Sequence, residues 1–148
     1  MNTYHTLWNF IPFPNGYNLR KGLSILHDYL DLTLACIYNY YHENEENKIY
    51  KSDGKQYNYH CIFCLNYSEE KICFEKWLKS FVSWENFVEK NYLQTFVDTN
   101  NNYYPKELCD GHFKKGGLPK TIDECNQYFN NASEWILQRG RDMLNSLS

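Results

Sequence analysis

Alanine is almost absent from this sequence, with two residues in 148, and so is any long apolar run free of charge. The most apolar stretch, Leu19 to Tyr41, carries Asp28 and Asp31 inside it, which excludes a membrane-spanning helix there. An excess of positive charge is missing too: 15 Lys and Arg against 18 Asp and Glu give a net charge of −3. That balance excludes a surface that attracts phosphate backbones or anionic lipid over its whole extent. The opening MNTYHTLWNF has neither a basic start followed by an apolar run nor a small-residue cleavage site, so no secretory signal and a cytoplasmic location are expected. No period of twenty to fifty residues recurs, which argues against a repeat protein.

Against these absences stand 14 Tyr and 9 Phe with abundant Asn and Lys, the bias that AT-rich codons impose. A phage, a mobile element, an endosymbiont or a parasite fits that bias. The hydrophobic share of 43% is enough for one domain to bury a core without disulfides. Six cysteines in a chain expected to stay in a reducing compartment read as thiols or metal ligands, not as a disulfide framework.

The pattern predicts a mainly α chain, a single compact domain over 1–148 with three to four packed helices and a small β-hairpin. Met1 to Asn18, with Pro12, Pro14 and Asn15-Gly16, reads as an extended arm. Leu19, Leu23, Leu26, Leu30 and Ile37 form one apolar row over 19–41, and Ile25, Tyr29, Leu32 and Cys36 a second beside it. Arg20, Ser24, His27, Asp28 and Asp31 make a wet stripe that then stops, so the second half of this core helix is expected to be central. Asp53-Gly54 between aromatic and β-branched residues predicts a hairpin over 48–63. One or two helices are predicted over 68–98, with Ser83 as a possible inner cap, and Pro105 is placed at the start of a helical turn ending at Gly111. Thr121 and Glu124 form a capping box for a final helix over 121–147. Its row Ile122, Cys125, Phe129, Ala132, Ile136 and Met143 predicts packing along the core helix.

The sharpest chemical signal is Cys61-Ile-Phe-Cys64 followed by Cys109-Asp-Gly-His112. A CxxC at a ribbon end and a CxxH turn supply the four ligands of a closed, tetrahedral, structural zinc site: Cys61, Cys64, Cys109 and His112. His60, Cys73 and Cys125 are spare candidates, and ordinary buried thiols are the plainer alternative. A redox CxxC needs a thiol at a helix N-terminus, and no βαβ pattern surrounds this one. Lys114, Lys115 and Lys120 run into Thr121 at a helix N-terminus, a geometry that can bind an anion. Gly111 to Gly116 begins like a phosphate loop, but Gly117-Leu118 stand where Lys and Ser or Thr are required. The segment Cys109 to Gly117 also shares a His-bearing, Gly-containing stretch with ββα-metal nucleases of the HNH type, but lacks their Asp-His pair and downstream Asn. Ser24, His27 and Asp31 share a helix stripe at spacings too long for a relayed triad, so no catalytic residue is assigned.

Three functions follow. The first is a non-enzymatic module that binds a protein partner, as an inhibitor, immunity factor or accessory subunit; its surplus of Tyr and Trp suits binding hot spots. The second is a zinc-stapled nucleic-acid-binding protein using the basic loop and exposed aromatics. The third is a metal-dependent nuclease centred on His112.

Overall fold

Nine consecutive residues, Asp31 to Asn39, are buried, which makes the helix that carries them the axis of the fold. The computed structural model describes residues 30–42, 49–50, 56–57, 75–115 and 119–148. The arm over 1–18, the first half of the expected core helix and the sites at His60, Cys61, Cys64 and Cys73 lie outside the described residues. The chain is mainly helical with small antiparallel ribbons. Helix α1 spans Leu30–His42. The first ribbon pairs β1, Ile49–Tyr50, with β2, Gln56–Tyr57, in the register Ile49 to Tyr57 and Tyr50 to Gln56.

Residues 75–79 are helical, and the chain then breaks before α2, Trp84–Lys90. Ser83 causes the restart, because its hydroxyl accepts from the Asn86 N–H and supplies the cap. The apolar side of α2 fits against α1 through rings: Trp84 meets Tyr38 edge-on at 5.6 Å, and Phe87 meets Tyr41 at 6.5 Å. Such pairs favour one geometry over simple apolar contact. The indole N–H of Trp84 donates to the Tyr103 carbonyl at 2.9 Å and ties this cluster to the next segment.

A 3-10 turn, Gln94–Phe96, leads into a second ribbon of β3, Val97–Asp98, and β4, Tyr104–Pro105. The sequence reading put a helical turn at Pro105; the residue instead sits in a strand, where a missing N–H is tolerated at an edge. The ladder resumes beyond it as Lys106 N–H donates to the Phe96 carbonyl at 2.9 Å. The turn begins instead at α3, His112–Lys115.

The last helix, α4, spans Ile122–Asn145, and both halves of its capping box form: Thr121 accepts from Glu124 N–H, and the Glu124 carboxylate takes the Thr121 N–H. Thr121→Ala is expected to cost about 1 kcal/mol, read as a lower urea midpoint with an unchanged slope. The inward face of α4 differs from the predicted one. Ile136 is buried, but Ile122 and Phe129, two heptads and one heptad before it, are 80% and 65% exposed. Turned inward instead are Tyr128, which meets the His112 ring, and Asn131, Trp135 and Arg139, which reach the connectors at 91–96 and 108. Hydrogen bonds to those connectors replace the apolar packing along α1 that the pattern implied.

Candidate functional site

The CxxH turn is held from three directions. Cys109, Asp110, Gly111 and His112 make one tight reversal in which the His112 N–H donates to the Cys109 carbonyl at 3.1 Å. Gly111 has φ 72, a value that glycine reaches without a steric penalty and that such a turn requires at its third position. Glu107 then binds the following backbone, taking the N–H of Gly111 at 3.0 Å and of Phe113 at 2.7 Å on its two carboxylate oxygens. From α4, Gln127 exchanges hydrogen bonds with the Asp110 backbone and side chain, and Asn131 donates to the Leu108 carbonyl at 2.9 Å. Cys109 and His112 are both buried in this frame.

The third support is Asp31 on α1. Its Oδ2 lies 2.6 Å from His112 Nδ1 and also accepts the Leu108 N–H at 2.9 Å, while Oδ1 accepts the Leu32 N–H at 2.9 Å. A carboxylate already accepting on both oxygens takes another donor, so Nδ1 carries the proton and the imidazole is fixed in that tautomer. Both side chains are sealed, Asp31 at 0% and His112 at 1% exposure. A buried carboxylate is tolerated only when its lone pairs are matched this fully. The sequence reading had placed Asp31 on the wet stripe of a helix; the structure moves it into the core.

The other sites expected from the sequence fall differently. Among the described residues no three His, Cys, Asp or Glu side chains converge as a metal set. Cys109 and His112 share one buried turn, whereas Cys61 and Cys64 lie outside the described residues. What the described part does show is that α3, which begins at His112, packs on strand β1 of the first ribbon. The basic loop is less open to an anion than its sequence suggests. Glu124 takes the N–H of Lys120 at 2.7 Å and of Thr121 at 3.4 Å, and the Thr121 hydroxyl is engaged by Glu124 N–H. The N–H groups of Lys120, Thr121 and Glu124 are thus answered within the chain; Lys114 and Lys120 are exposed.

Two cations, buried Arg139 and partly buried Lys106, shape the neighbourhood. Arg139, 2% exposed, donates from Nε to the Asn91 carbonyl at 2.9 Å, closing the end of α2 from within α4. Burial lowers its pKa to about 10, so it stays charged at neutral pH. Lys106 lies 4.8 Å over the Trp135 ring, and burial lowers its pKa, with Asp98 and Glu134 pulling the other way. No helix among the described residues is long and apolar enough to cross a membrane.

No curated protein and no solved structure matches the chain. One family profile does, and it runs from ahead of α1 almost to the end of α4, enclosing the buried Asp31 and His112 and all four cysteine and histidine positions of the CxxC and CxxH pair. Matched over residues 14–143, the chain belongs to the family of unknown function DUF6994.

Proposed function

We propose that this protein is a non-enzymatic interaction module, stapled by structural zinc, that binds a helix of a protein partner along the outer face of α4. One observation carries the reading: the helix turns its hydrogen-bonding residues inward and leaves Ile122 and Phe129 outside, 80% and 65% exposed. Apolar residues seven positions apart make a seam that an amphipathic helix can match. Asn126 and Ser133, both exposed and uncharged, flank that seam and suit a partner helix whose contact is chiefly apolar. The absence of Lys and Arg beside the seam and the net charge of −3 disfavour nucleic acid on this face. An inhibitor, an immunity factor or an accessory subunit in a reducing, cytoplasmic setting fits such a surface.

The zinc part of the reading rests on the CxxH turn. Cys61, Cys64, Cys109 and His112 form a donor set suited to tetrahedral zinc, in which four protein ligands leave no open position for catalysis. Asp31 holds the proton on His112 Nδ1, the way a carboxylate orients a metal-bound imidazole through its other nitrogen.

The test of the binding face is a photo-crosslinker at Ser133, with Ile122→Glu/Phe129→Glu as the lesion and Val82→Glu, at a site 94% exposed elsewhere, as the control. The wild type and the control are expected to crosslink one saturable partner from the native source through a helical segment of that partner. The double variant should lose roughly 2 kcal/mol or more of that affinity, about thirty-fold. A partner held equally well by the double variant overturns the assignment. Self-association abolished by the same substitutions would give the face to a second copy and overturn it too.

A further inference from the structure

We draw no further inference here: the strongest candidate, the exposed apolar patch of Leu144 and Leu147 at the C-terminal end of α4, carries nothing, because no feature of the structure shows what covers it.

Discussion

Asp31→Leu is expected to remove about 3–5 kcal/mol of folding stability, a large share of the roughly 5–15 kcal/mol that a domain possesses. The substitution strands two buried groups at once: His112 Nδ1 and the Leu108 N–H, which now share Oδ2 at 2.6 and 2.9 Å. Neither reaches water, because the residues around the pair are closed to solvent. Asp31→Asn should cost less, since an amide oxygen still accepts the Leu108 N–H while the His112 bond weakens. Urea unfolding of the single variants and of Asp31→Asn/His112→Gln measures the coupling directly. A loss below about 1 kcal/mol for Asp31→Leu, the range of an exposed pair, would mean that the contact is open to solvent and does not hold the turn.

Why sequence reasoning passed over Asp31 follows from where it stands. The polar stripe Arg20, Ser24, His27 and Asp31 continues, one helical turn on, into Leu34, Ala35 and Tyr38, all of them buried. Asp31 is therefore the first residue of the enclosed half, not the last of a wet one. A charge at such a junction is a signal that its partner comes from elsewhere, and the partner here is 81 positions away. Local features were legible because their causes are local. The Ser83 cap, the Thr121 and Glu124 box and the first ribbon each depend on residues within a few positions of one another. The central place of α1 was legible as well, from two apolar rows without a polar side.

Helix α4 shows the opposite case. Its apolar row is regular, yet Asn131, Trp135 and Arg139 win the inward position because the connectors opposite them present carbonyls and a ring that they can satisfy. Hydrophobic periodicity counts apolar residues and is blind to such bonds. The same blindness hid the second ribbon, where Pro105 reads as a helix start although the Val97 to Pro105 pairing fixes it as strand. The expected anion loop drew on donors around a helix start, and the glutamate that signals the capping box takes two of them, the N–H groups of Lys120 and Thr121.

Zinc is expected at one equivalent per chain in freshly purified protein, lost in Cys61→Ser and in His112→Ala, when intact mass under native conditions is combined with metal quantification. The effect on stability should be the largest of any single change, because the free energy of binding a structural zinc, roughly 10–16 kcal/mol in small peptides, becomes folding free energy. Chelation should then lower Tm steeply, and acid should release the metal as the thiolates regain protons. Asp31 separates this reading from a merely packed turn. If His112 holds zinc, Asp31→Asn keeps the metal but binds it about 10–100-fold more weakly, a loss that a fold-only role for the pair does not produce. Wild-type protein with six reactive thiols and no metal would remove the staple altogether. The CxxH turn would then rest on Asp31, Glu107, Gln127 and Asn131 alone, and the burial of Cys109 would be ordinary packing of a small apolar side chain.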